Sequence, residues 1–482
     1  MNHDILHQKL HALAAFPNIK ADTAAKFGEI LKELDDWDLL RINPLRFAEE
    51  HDFNRIETMD LFIHGAKIGL FDFVWNIICP SCGGTEYTHK SINEVEEAVF
   101  HCSICHFDVP SNLDDQVEVA FMINPSIKKL DINPFKDIDS YQRYFFSPNF
   151  ERSQALEDYI NDVKRSVALI EPDGSKDIIF EAKPGELYRL LSIDLHSAMS
   201  MPTTDGQGAG TQPVNIDILP TGFSPKEIAL APGMVTLHIT NLRNTPTGAI
   251  LVLTDPPRIQ TILERHPSRL RPFLTGKMLL NNQGFRELFR VQNLIPDLKL
   301  NIRSLTILFT DLKGSTELYD KTGDAFAYNL VQEHFKILTD SVRRNSGAVV
   351  KTMGDAIMAT FSLPREGVNA AVEMINEIQS LNEKLKAEDH ELGLKIGLHE
   401  GPALAINADE RVDYFGQSVN IAARVQGLAK ASEIWITEPI FLVNGVHDVF
   451  NAGGYVEEKQ SVFLKGIREA TNVYKMHRPA GA

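Results

Sequence analysis

Three short segments late in the chain carry acids, bases and amides at spacings suited to phosphoryl chemistry: Phe309-Thr310-Asp311-Leu312-Lys313-Gly314-Ser315-Thr316, Lys351-Thr352-Met353-Gly354-Asp355, and residues 413–424. Two carboxylates such as Asp311 and Asp355, if brought close, repel each other unless a cation lies between them. A triphosphate arrives with magnesium, so the pair reads as two-metal phosphoryl transfer. One ion would help deprotonate the attacking hydroxyl; the other would hold the triphosphate. Gly314, Ser315 and Thr316 follow Asp311 directly and can turn backbone N–H groups toward phosphate. Lys351 can donate and Asp413 can accept. That suits adenine, with its N1 acceptor and N6 donor, and misfits guanine, which would leave a charge unpaired. Asn420 and Arg424 lie four apart and share one face of a helix beginning near Val419. The ordinary alternatives are turn acids for Asp311 and Asp355 and a surface salt bridge for Arg424.

The elements that must position these residues follow from hydrophobic periodicity. Residues 304–309 are an apolar strand ending at Asp311. A helix over 325–345 repeats Val331, Phe335, Leu338 and Val342 and stops at Gly347. Residues 348–351 and 356–361 form a hairpin around a tight Thr-Met-Gly-Asp turn. A second helix carries Ala370, Met374, Ile378 and Leu381, and a strand covers 394–398. This βαββαβ order is ferredoxin-like, and it sets the first strand beside the hairpin, bringing Asp311 to Asp355.

Together, in this order, the three segments resemble the catalytic domain of class III nucleotidyl cyclases over roughly residues 300–478. The resemblance implies that ATP becomes 3′,5′-cyclic AMP and pyrophosphate, with two Mg²⁺ (or Mn²⁺) held by Asp311, Leu312 and Asp355. In the family, adenine-specific members carry Lys and Asp where this chain has Lys351 and Asp413, whereas guanylyl cyclases carry Glu and usually Cys. Asn420 and Arg424 fall where the family orients the ribose and stabilises charge on the pentavalent phosphate. Phe463-Leu464-Lys465-Gly466-Ile467 resembles the segment whose Lys binds the triphosphate tail, giving Lys465 that role. Lys395 stands where some members have a phosphate-binding Arg, and it lacks the bidentate fork. The resemblance also implies a homodimer, each site taking metal aspartates from one chain and base-reading and transition-state residues from the other. The competing readings are a guanylate cyclase and a catalytically silent nucleotide-binding module. Loss of a metal Asp or of the Asn/Arg pair would mark the latter, and this chain keeps all six residues.

The remainder reads as a regulatory region of a mixed α+β multidomain chain. At 482 residues there is too much chain for one core. All four cysteines fall in Cys79-Pro-Ser-Cys82 and Cys102-Ser-Ile-Cys105, two knuckles 19 residues apart, the spacing of a zinc ribbon with one structural Zn²⁺. Two disulfides or four thiols are the alternatives. Residues 1–75 are expected to be winged-helix-like, helical from about 22, with Asn43-Pro44 starting one helix, residues 55–68 forming the next, and a strand over 70–75. Its second helix has only Arg55 and Lys67 as cations, so protein contact suits it better than DNA. Residues 76–112 form the ribbon, and 113–275 a β-sandwich-like domain with a loop over 201–212. Residues 276–300 form a helical linker whose stripe of Leu279, Leu280, Phe285, Leu288 and Phe289 packs on a partner chain or on its own domain; 301–478 is the cyclase. The net charge of −17 disfavours nucleic acid. No apolar run approaches a membrane span and no signal peptide opens the chain, so a cytoplasmic protein is expected. The regulatory ligand or protein is left unspecified by the sequence.

Overall fold

The computed structural model describes residues 1–479 other than 90–98, 103–106, 111–112, 207–209, 290–299, 314–323, 386–391 and 409–410. Four helices open the chain: His3–Ala14, Ala21–Glu33, Pro44–Glu50 and Arg55–Lys67. The first lies ahead of the expected helical start and is capped by Asn2, whose side chain accepts from the Ile5 N–H. Asn43 caps the third with Pro44 in its first turn, and Asn54 caps the fourth. All four share one core with an antiparallel sheet in the order Thr85–His89, Phe71–Ile78, Val117–Ile123. Edge-to-face and tilted contacts among Phe27, Phe47, Phe62, Phe71 and Phe121 hold this core, each worth about 1 kcal/mol beyond burial.

The middle of the chain is two four-stranded sheets. One is ordered Ser197–Pro202, Leu187–Ser192, Thr247–Thr254, Lys164–Ile170; the other Gly222–Ser224, Gln212–Leu219, Gly233–Asn241, Ser175–Ala182. Period-two burial drives them together: Val214, Ile216 and Ile218 on one strand and Val235, Leu237 and Ile239 on its neighbour enter one core with Leu190, Met199 and Leu251 of the facing sheet. The expected loop over 201–212 is shorter, since strand pairing runs to Pro202 and resumes at Gln212.

In the last third, Leu300–Lys313 is the central strand, flanked by Ala356–Phe361 on one side and Gly393–Ala408 on the other. The hairpin mate Ala348–Met353 lies outside the former; Ile434–Thr437, Thr471–His477 and Val456–Val462 extend the sheet beyond the latter. Helices Asp324–Arg344 and Pro364–Leu385 supply the crossovers and cover one face, burying Leu308, Leu312, Ile357, Leu394 and Ile396. The βαββαβ order expected from periodicity is therefore present. Alternation along the central strand sends Ile307 and Phe309 to the opposite face. There they join Val350, Met358, Ala403, Ala405 and Tyr414 in one continuous core with the N-terminal helices. Residues 276–289, expected as a linker, are two short helices, Gly276–Leu280 and Gln283–Leu288, seated in that core; Leu279, Leu280 and Phe285 are buried against the chain's own domains. No helix among the described residues is long and apolar enough to cross a membrane.

Candidate active site

The acids stand on neighbouring strand ends. Phe309 pairs with Met358; extending that register by two residues sets Asp311 opposite Ala356, next to Asp355. The turn carrying Asp355 needs Gly354, whose φ is +65°. Buried His334 donates from Nε2 to the Asp355 carbonyl at 3.2 Å, fixing the turn, and burial lowers the imidazole pKa. Asp355 Oδ2 is buried and has no hydrogen-bond partner among the described residues. An orphaned carboxylate oxygen of this kind fits a hard cation, which takes oxygen ligands and neutralises the charge. Asp311 pairs across the strand with Lys395, whose ammonium bonds its Oδ2. Leu312 buries its side chain among the helices' core residues, so only its backbone carbonyl could reach a cation. Gly314, Ser315 and Thr316 lie outside the described residues.

Lys351, on the hairpin, and Asp413, on strand Arg411–Phe415, meet as an ion pair at 2.6 Å. Asp413 also accepts its neighbour's backbone N–H, from Tyr414, at 2.8 Å. The pair is partly exposed, 41% and 20% at the two side chains, so it is worth at most about 1 kcal/mol and opens readily. A donor and an acceptor thus stand side by side at the sheet edge.

Helix Gln417–Gln426 carries Asn420 and Arg424 on its exposed face, and neither has a hydrogen-bond partner among the described residues. The helix lies so close to strand Gly393–Ala408 that a Cβ at Gly397 would stand 2.1 Å from the Gln426 backbone nitrogen. The Ser418 hydroxyl donates to the Pro402 carbonyl at 2.7 Å, fixing the other end. Lys465 is exposed and follows buried Leu464, which packs with Val425 and Trp435. The structure thus gathers Asp311, Asp355 and Lys395 at one strand end and joins Lys351 to Asp413. Asn420, Arg424 and Lys465 point outward.

In the first two-strand knuckle, Gly83 N–H bonds the Cys79 carbonyl at 2.9 Å. The sulfurs of Cys79, Cys82 and Cys102 all lie within 4.8 Å of one another, and Cys82 and Cys102 are 3.8 Å apart. That is too long for a disulfide but is the edge of a tetrahedron with arms of roughly 2.3 Å, the zinc–thiolate length. The donor set fits zinc; Cys105 lies outside the described residues.

Residues 7–287, more than half of the chain, match the family described as Family of unknown function (DUF5939). The chain belongs to that family. Residues 299–478 match the Adenylate and Guanylate cyclase catalytic domain and are a class III cyclase catalytic domain. The DUF5939 chain is similar to an adenylate cyclase of Anabaena cylindrica, 26% identical over 187 residues, which are 36% of this chain and 37% of that protein. It is also similar to a serine/threonine-protein kinase, pkn2, of Myxococcus xanthus, 25% identical over 178 residues, 37% of this chain and 20% of the kinase. The chain thus spans about a third or less of the length of these relatives. Among solved structures, the adenylyl cyclase CyaB from P. aeruginosa aligns with 38% of this chain and 98% of its own at 20% identity and a TM-score of 0.33. The guanylyl cyclase Cya2 aligns with 38% and 96%, at 19% and 0.32.

Sequence reasoning left out three residues that touch the site's strands: Asn281, which caps the first of the two short helices, and Gln283 and Arg286 on the second. Asn281 and Gln283 are polar side chains buried at the cyclase face. The sequence offered only the apolar stripe beside them as a signal.

Proposed function

We propose that the chain is an adenylate cyclase, converting ATP to cyclic AMP and pyrophosphate in a site shared between two copies. The observation that carries this reading is the Lys351–Asp413 pair, a donor beside an acceptor at 2.6 Å. Opened by an incoming base, it offers Lys351 to adenine N1 and Asp413 to the N6 amino group; guanine presents the reverse edge and leaves both unmatched. Two divalent cations, Mg²⁺ or Mn²⁺, held by Asp311, Asp355 and the Leu312 carbonyl, would lower the pKa of the ribose 3′-hydroxyl and neutralise the triphosphate. Lys395, freed from Asp311 once the carboxylate has another cation, is placed to take a phosphate oxygen. Arg424 would stabilise charge developing on the α-phosphate, Asn420 would hold the ribose, and Lys465 with the N–H groups of Gly314, Ser315 and Thr316 would hold the phosphate tail.

Asn420 and Arg424 face outward, and so do the apolar side chains of Met353, Phe415 and Phe463, exposed by 41%, 65% and 80% and each within two residues of a motif residue. Exposed hydrocarbon around a polar site favours a covering partner, and a second copy supplies the missing half-site. Acting on ATP, the protein would work in the cytoplasm, with zinc held structurally by Cys79, Cys82, Cys102 and Cys105. The test is turnover of ATP and GTP with Mg²⁺ or Mn²⁺, with products separated by chromatography. Wild type should yield cyclic AMP from ATP, and Lys351→Glu with Asp413→Cys should move kcat/KM toward GTP. Cyclic GMP as the main wild-type product would overturn the base assignment.

A further inference from the structure

The two short helices before the cyclase touch the backbone beside both base-reading residues. Arg286 donates to the carbonyl of Val412, the residue before Asp413, and also to Leu280 O at 3.3 Å. Its guanidinium lies 6.0 Å from the ring centre of buried Tyr414, the residue after Asp413. Gln283 Oε1 accepts the Val349 N–H at 2.8 Å, two residues before Lys351, on the strand whose register slips between Val349 and Lys351. Between these grips, Asn281 Oδ1 accepts the hydroxyls of Thr360 at 2.6 Å and Tyr414 at 3.1 Å, tying the hairpin to the strand of Asp413. All three side chains come from the stretch where the match to the family of unknown function ends, at residue 287. The same helices are anchored to the N-terminal region and, through Lys277, also to the central cyclase strand. Lys67 donates to Leu288 O at 2.8 Å, Phe73 meets Phe285 and Phe289, and Lys277 bonds Asp114 at 2.9 Å and Ser304 O at 3.1 Å.

Neither Lys351 nor Asp413 is held by its own strand partners alone. Lys351 follows a register slip at an outer strand, and Asp413 lies on a strand that, among the described residues, pairs on one side only. The helix pair, which lies before the catalytic domain, thus bonds the backbone beside both the donor and the acceptor. We infer that Asn281, Gln283 and Arg286 are positioning residues for base recognition, through which the DUF5939 region sets the nucleotide preference and affinity of the cyclase. The inference rests on the assignment of Lys351 and Asp413 to the base. It gives the N-terminal region a defined action: a shift of the helix pair moves the two reading residues apart or together.

The test is equilibrium binding by calorimetry to the full chain, with Mg²⁺ and 3′-deoxy-ATP or 3′-deoxy-GTP, which lack the attacking hydroxyl and cannot cyclise. Arg286→Met and Gln283→Met remove the donor and the acceptor while keeping apolar bulk. Each should lower the ATP-over-GTP binding ratio by about tenfold, the scale of one hydrogen bond to a charged group. Asn241→Ala removes three side-chain hydrogen bonds in the two-sheet middle, to the carbonyls of Ile170, Glu171 and Thr245, without touching the helix pair or the strands of Lys351 or Asp413. It should lower Tm and leave the ratio alone. Arg286→Lys, which keeps one donor, should recover part of the preference. A wild-type ratio in both methionine variants, at equal folded fraction, overturns the inference. A wild type that shows no preference for the adenine nucleotide removes the base assignment first and this inference with it.

Discussion

Asp355 concentrates the site's electrostatic cost in one atom. Its Oδ2 is buried without a partner among the described residues, while its backbone carbonyl is held by His334. A carboxylate in that position destabilises the empty fold and is relieved by a cation. Replacing Asp355 by Asn should therefore have opposite effects on two readouts. Turnover should fall by about a thousandfold, because metal neutralisation of transition-state charge is worth several kcal/mol and each 1.4 kcal/mol is tenfold. In chelator, the variant's Tm should equal or exceed that of wild type; a lower Tm together with preserved turnover would discard the metal role. The motif residues were legible because their chemistry is local: a Lys, an Asp and an Asn/Arg pair in fixed frames need no tertiary information to be recognised. Lys395 was less so. Its contact is with Asp311 on the adjacent strand, and such a partner is fixed by register, which the residues around Lys395 do not encode.

At the scale of elements, the βαββαβ order followed from period-two and period-3.6 patterns, and the helix of Asn420 and Arg424, expected to begin near Val419, begins at Gln417. The packing of the two short helices did not follow from such patterns. Their apolar stripe predicts burial, yet the same stripe suits a partner chain, a linker or the cyclase face, and only the long-range contacts of Asn281 with Thr360 and Tyr414 decide. The first helix, His3–Ala14, carries an apolar stripe of Leu6, Leu10 and Leu13 at helical spacing, with Ile5 and Ala14 also against the core, yet it lies ahead of the expected helical start. A small crevice between the N-terminal helix Arg55–Lys67 and the cyclase is lined by Glu366, Arg55, Asp60 and Arg343. Burial raises Glu366 from its ordinary 4.5 to about 7, with Arg55 and Lys277 opposing the shift. A raised carboxyl pKa means that the folded state holds the proton more tightly. The resulting stability is fully present below pH 4.5 and is lost as pH rises through 7. The Tm of Glu366→Gln should therefore gain on wild type between about pH 5 and about pH 8. Parallel Tm curves would show that Glu366 is solvated in solution.

Across the whole molecule, the N-terminal helices and sheet share one core with the helix pair and the cyclase, while the two-sheet middle keeps a core of its own. The proposed zinc site belongs to this scale, because a closed thiolate site would contribute to folding and leave no position for substrate. Intact protein should carry one zinc per chain by elemental analysis, and Cys102→Ser should lose it with a fall in Tm. Equal zinc in both would remove Cys102 from the site.

The assembly itself is open to one direct measurement. One chain carries both half-sets, with Asp311 and Asp355 at a strand end and Asn420 and Arg424 facing outward on their helix. In a mixed dimer of Asp311→Ala and Asn420→Ala chains, one site pairs the intact Asp311 of one copy with the intact Asn420 of the other. Each variant alone should make little or no cyclic AMP from ATP. After subunit exchange, verified with differently tagged chains, the mixture should recover up to about a quarter of the wild-type rate, since half the dimers are mixed and each has one of two sites complete. Confirmed exchange with cyclic AMP formation no higher than in the separate variants would contradict a shared adenylate cyclase site.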